Sequence, residues 1–133
     1  MSSSSSYHEI VLNKCYGSFQ LSEAALHEYT KRTSRTAHAH DIARDDPVLV
    51  QIVKELGDSA NGDCSQLSIE RIPSQYTQYY TINEYDGYES IQIQYDAYRV
   101  SAARAILQAA HLTMRERIVR ALAVLGANLE SES

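Results

Sequence analysis

The chain has 133 residues, a mass of 14.9 kDa and a formal net charge of −5, with 44% hydrophobic and 22% charged residues. At this size folding hides roughly two thirds of the extended-chain surface, so a single core forms without disulfides or metals. The composition excludes disorder over the whole length and a collagen-like class, and no apolar run approaches the roughly 20 residues that cross a bilayer.

The chain opens on Ser2–Ser6, which has nothing to bury. Residues 1–6 are therefore expected to be a disordered tail, with no hydrophobic segment of the kind that signals export, and the protein is expected to be soluble. Order is expected over 7–126 as one α+β domain, followed by a flexible C-terminus over 127–133. Tyr7–Leu12 is rich in β-formers and runs into Asn13 and Lys14, the pattern of a strand. Gly17 marks a bend before Phe19. Ser22 is placed as the N-cap of a helix from Glu23 to about Lys31, with Leu21 and Leu26 set as a hydrophobic staple and Glu23 near the positive helix end. Residues 31–44 lack periodicity and read as a loop.

Asp46 followed by Pro47 is a cap with proline at the first helical position. Val48, Leu49, Ile52, Val53 and Leu56 supply one apolar face, and Gly57 the stop. After a turn at Asn61-Gly62, the segment Gln66–Ile72 alternates as a strand that ends at Pro73. Asp86-Gly87 is a two-residue hairpin signal. It pairs Tyr85 with Tyr88, Glu84 with Glu89, Ile82 with Ile91 and Tyr80 with Ile93. This register gathers the aliphatic residues on one side and leaves Tyr79, Thr81, Asn83, Tyr85, Tyr88, Ser90, Gln92 and Gln94 on the other. It also opposes Glu84 to Glu89, an unfavourable pair unless solvent, a cation or an arginine intervenes. Both read as solvated turn residues.

From Asp96 to Leu125 apolar residues recur three or four apart. One continuous helix would measure roughly 43 Å, longer than the domain is wide, while Thr113 and Glu116 form a capping box that would split it near Leu112. Both readings stay open on sequence. Its apolar surface exceeds what one small sheet covers, which implies a homodimer with Val100, Leu107, Met114, Ile118 and Leu122 at the interface.

Chemical motifs are sparse. Cys15 and Cys64 lack partners at metal-ligand spacing and read as free structural thiols in a reducing compartment, with a single bridge between them left open. His38, His40 and Asp41 form an H-x-H-D sequence in the polar loop; two histidines without an identifiable ligand set read as loop residues, so no metal or other cofactor is expected. Neither a nucleophile elbow, a phosphate-binding glycine loop nor a zinc-protease motif occurs.

Charge is unevenly spread. Residues 97–125 hold five arginines against one glutamate, a net of +4 that leaves −9 on the remainder of a chain at −5. Arg99, Arg104, Arg115, Arg117 and Arg120, with Tyr85 and Tyr88 as stacking residues, are the candidate nucleic-acid contacts for RNA or DNA. The competing reading is that these arginines pair with carboxylates of the same chain or of a second copy. Lys31, Arg32 and Arg35 form a smaller basic group.

Three segments carry a resemblance: Lys14–Ala25 with its Gly17-Ser18-Phe19, Arg44–Gly57 opening on Arg44-Asp45-Asp46-Pro47, and Glu84–Glu89. In this order they resemble an uncharacterised family of short proteins from large DNA viruses of protists, the marseillevirus group among them, with similar proteins in bacteriophages. That family often has Gly-Gly-Phe where this chain has Gly17-Ser18-Phe19. The resemblance spans roughly residues 8–94 and implies a viral origin and a compact α+β fold, with no reaction or catalytic residue to carry over. The function expected is that of a non-enzymatic viral homodimer that binds nucleic acid through the basic helix; a protein-only scaffold or virion component, and a small enzyme, are the alternatives. Such a protein would act in the infected host cytoplasm, the viral factory or the virion, with other viral or host proteins as partners and no membrane.

Overall fold

The computed structural model describes residues 6–126. The expected serine tail, apart from Ser6, and the expected flexible segment 127–133 lie outside the described residues. Element order is β1 (Tyr7–Asn13), α1 (Glu23–Thr33), α2 (Pro47–Leu56), β2 (Leu67–Pro73), β3 (Tyr80–Tyr85), β4 (Tyr88–Ile93), α3 (Tyr95–Leu107) and α4 (Met114–Val124), with short 3₁₀ turns at Ala39–Asp41, Gly57–Ala60 and Ser74–Tyr76. The fold is α+β with two antiparallel two-stranded sheets, β1–β2 and β3–β4.

β1 is the centre of the molecule because its run Ile10-Val11-Leu12 is apolar at every position, and all three side chains are fully buried. Strand side chains alternate, so such a run faces apolar neighbours on both sides. Val11 joins a cluster with Leu21, Ala25 and Tyr29 of the α1 region and Leu49, Val50, Ile52 and Val53 of α2. Ile10 and Leu12 join Ile72 of β2, against which Tyr76, Tyr80, Ile82, Ile91 and Ile93 pack. Three layers result: two helices, the β1–β2 ribbon, and the β3–β4 hairpin. Each fully buried aliphatic side chain contributes about 2 kcal/mol.

The helix boundaries follow their caps. The Ser22 hydroxyl accepts from the Ala25 N–H, and Leu21 and Leu26 both reach the helix-side cluster. Asp46 accepts from the N–H groups of Val48 and Leu49 and from the Tyr29 hydroxyl at 2.7 Å, tying α2's start to α1. α1 continues two residues beyond its expected end because Arg32 reaches Glu28 on its own helix and Glu55 on α2. The β3–β4 register is the one expected from sequence, pair for pair, around a turn whose Asp86 and Gly87 both have positive φ. The C-terminal segment is broken: residues 108–113 separate α3 from α4, and both reciprocal bonds of the Thr113–Glu116 capping box are present.

Candidate functional site

Two features stand out, one internal and one on the surface. The internal one is where the three motif segments converge. The N–H groups of Val11 and Asn13 bond outside the β1–β2 ladder: Val11 donates to the Arg44 carbonyl at 2.8 Å, and Asn13 to the Glu89 carboxylate at 2.8 Å. Together they occupy an edge of β1 as a third strand would. Glu89 is only 5% exposed and is ion-paired with Arg44, whose guanidinium lies 3.6 Å from the Phe19 ring centroid. The fully buried Asn13 side chain donates to the carbonyls of Gly87 and Cys15 and accepts from the Gln66 N–H.

Gly87 sits against Gly17 so closely that a Cβ there would lie 1.9 Å from the Gly17 carbonyl oxygen. A Cβ on Gly17 would in turn lie 2.1 Å from the carbonyl oxygen of Cys64. Glycine is needed at both positions for this approach of three backbones. Glu89 is thus corrected from a solvated turn residue to a buried ion-pair partner. The sequence held the signal, since the hairpin register puts Glu89 on the same face as Ile91 and Ile93. Glu84 remains exposed and accepts from the Gly87 N–H.

A second polar group joins β1 to β3. His8 Nε2 lies 2.9 Å from Asp45 Oδ2, and the Tyr80 hydroxyl donates to the same oxygen at 3.3 Å. Burial, reinforced by the Asp45 charge, pushes the Tyr80 phenol up to about 12.

The surface feature is the α3–α4 pair. Gly126, just past α4, lies beside Arg99 near the start of α3, so the two helices run antiparallel. Their contact is lined by small residues, with Ala103 and Ala121 both 4% exposed. On its body-facing side α3 is held by tyrosines: Tyr98 packs edge-on against Tyr76 and Tyr79, Tyr95 against Tyr76, and the Tyr79 hydroxyl bonds Ser101 at 2.7 Å.

With 3.6 residues per turn, Val100 and Leu107 fall beside Ala103 on the side of α3 away from Tyr98 and Ser101. Met114, Ile118, Leu122 and Leu125 fall beside Ala121 on α4. Because the helices are antiparallel, both stripes open on one side of the pair, away from the body. All five expected interface residues, Val100, Leu107, Met114, Ile118 and Leu122, are 47–70% exposed, and Val119 and Leu125 enlarge the same surface.

The five arginines are not gathered in one patch. Arg104 and Arg115 flank the apolar stripes, Arg99 pairs with Asp96 over the Tyr95 ring, and Arg117 is half-buried, donating to the Leu112 carbonyl. Arg120 is exposed on another side of α4, where its charge helps hold the Glu116 carboxyl below the usual range, behind the larger effect of the Thr113 N–H. Among the described residues Arg104, Arg115 and Arg120 make no ion pair. Two members of the smaller basic group are engaged within the chain, Arg32 with Glu28 and Glu55 and Arg35 with Asp46.

Tyr85 and Tyr88 stand at the tip of the β3–β4 hairpin, roughly 20 Å of strand from the start of α3. Tyr85 is 78% exposed, while Tyr88 packs against Tyr16 and lies under the Lys14 ammonium. The length of β4 thus separates the tyrosines expected in the nucleic-acid site from the start of the helix that carries the first of the expected arginines. His38 and His40 stack with their rings nearly parallel, and no cluster of three or more metal-ligating side chains occurs among the described residues. No helix among them is long and apolar enough to cross a membrane.

Comparisons with models of protein families, with curated proteins and with solved structures gave no match.

Proposed function

We propose that this chain is a non-enzymatic interaction protein that works as a homodimer, two copies meeting through the outward faces of α3 and α4. One observation carries the reading: seven large apolar side chains of these helices point away from the body and are 40–70% exposed. Together they present on the order of 600 Å², the upper end of the largest patch on an ordinary monomer and close to the roughly 800 Å² each partner contributes to a stable interface. Face-to-face antiparallel pairs form a four-helix arrangement, in which the stripes bury one another. Arg104 and Arg115 fall at the rim, where their stems extend the apolar contact and their guanidinium groups stay in water.

Replacing Ile118 and Leu122 together by glutamate tests this. The variant is expected to sediment as a monomer with unchanged helical circular dichroism; a variant that associates as the parent does would overturn the reading. A second reading rests on Arg104 and Arg115, which have no carboxylate partner among the described residues and are left available for phosphate. Binding of RNA or DNA through them would fall steeply with salt, and their joint replacement would abolish it. The resemblance of the three motif segments supports a viral setting, with action in the host cytoplasm, the viral factory or the virion.

A further inference from the structure

Cys15 and Cys64 are 49 positions apart and are the chain's two cysteines, yet the fold sets them side by side. The Cys15 sulfur lies 3.4 Å from the carbonyl oxygen of Cys64, and the Ser18 N–H donates to that same oxygen at 3.0 Å. Gly17 permits this approach, because a Cβ at that position would also lie 3.3 Å from the Cys64 Cβ. The two main chains are therefore held together by contacts independent of the thiols. Cys64 is exposed and Cys15 half-buried, and neither has another sulfur or a metal-ligating cluster to serve among the described residues. The Cys15 thiol now donates to Asn13 Oδ1 at 3.3 Å and to the Cys64 carbonyl at 3.4 Å, and closing the bridge means giving up these bonds and turning the two sulfurs towards each other into disulfide geometry.

We propose that Cys15 and Cys64 are an oxidisable pair that closes to an intramolecular disulfide when the chain meets a small disulfide oxidant. The exposed Cys64 thiolate attacks one sulfur of the oxidant, breaking its S–S bond, releasing one thiolate and leaving a mixed disulfide. The Cys15 thiolate then attacks the Cys64 sulfur of that intermediate and expels the second thiolate. Two protein thiols give up two protons and two electrons, and the oxidant takes them up as two thiols. The closed bridge joins the end of β1 to the segment leading into β2, pinning the corner where Asn13 holds Gly87 and Gln66.

The test equilibrates the full chain with oxidised and reduced glutathione, quenches with acid, and reads intact mass without reductant. The expected product has lost two hydrogens, carries no glutathione and is not cross-linked to another chain. Cys15→Ser and Cys64→Ser, checked for native circular dichroism, should each stop at a single glutathione adduct. Closing a loop of this length should also raise the melting temperature by roughly 5 °C or more, reversibly with reductant. Accumulation of glutathione adducts or cross-linked chains in the parent protein would overturn the proposal, as would a disulfide that lowers the melting temperature.

Discussion

Glu89 is the side chain on which three segments of the chain depend, and its replacement gives a quantitative test. In Glu89→Gln one oxygen still accepts from the Asn13 N–H, so the change removes charge and leaves shape. Arg44 then loses its counter-ion. Breaking a buried ion pair by removing one partner costs about 3–5 kcal/mol. The Arg44 side chain is 23% exposed, so water recovers part of this and the expected loss is about 2–3 kcal/mol. Arg44→Met leaves a carboxylate that is 6% exposed without its cation, and costs about 3–4 kcal/mol. The double variant has no orphaned charge, retains an apolar group over Phe19, and should be more stable than the sum of the single losses by about 2 kcal/mol. Denaturant unfolding of the four proteins measures the cycle. Additivity within about 0.5 kcal/mol would refute the pairing as the organising contact of this corner.

Gly87→Ala should destabilise by about 3 kcal/mol in the same assay, since its Cβ meets the Gly17 carbonyl at 1.9 Å and its φ is +91°. Tyr80→Phe should remove an alkaline loss of stability. The folded phenol titrates at about 12, above its ordinary value of 10.0, so its contribution is full below pH 10 and fades as the pH rises towards 12. Unfolding followed across that window should fall less steeply in the variant, and an unchanged slope would refute the assignment. Thr113→Ala removes one half of the capping box at α4 and should cost about 1 kcal/mol, read as faster amide hydrogen exchange confined to the first turns of that helix.

Much of the architecture was legible because short-range rules and long-range packing agree. Ser22, Asp46 with Pro47, and Thr113 with Glu116 are caps whose partners lie within three residues. The β3–β4 register follows from one turn and one sorting of aliphatic side chains. What sequence reading missed depends on approach between distant segments. From sequence Arg44 is one more basic residue of a polar loop, because its partners Phe19 and Glu89 are 25 and 45 positions away. Gly87 is a turn residue by sequence, but it also carries the contact with Gly17. The apolar excess of α3 and α4 could be counted in sequence. The direction it faces required knowing that Tyr98 and Ser101 anchor the other side.

On the reading proposed here, a second copy covers the outward stripes of α3 and α4. Light scattering of the full chain over a range of concentrations decides whether it does. The expected mass is twice 14.9 kDa, falling to 14.9 kDa when Ile118 and Leu122 are replaced by glutamate. A parent chain that stays at 14.9 kDa at every concentration would contradict it.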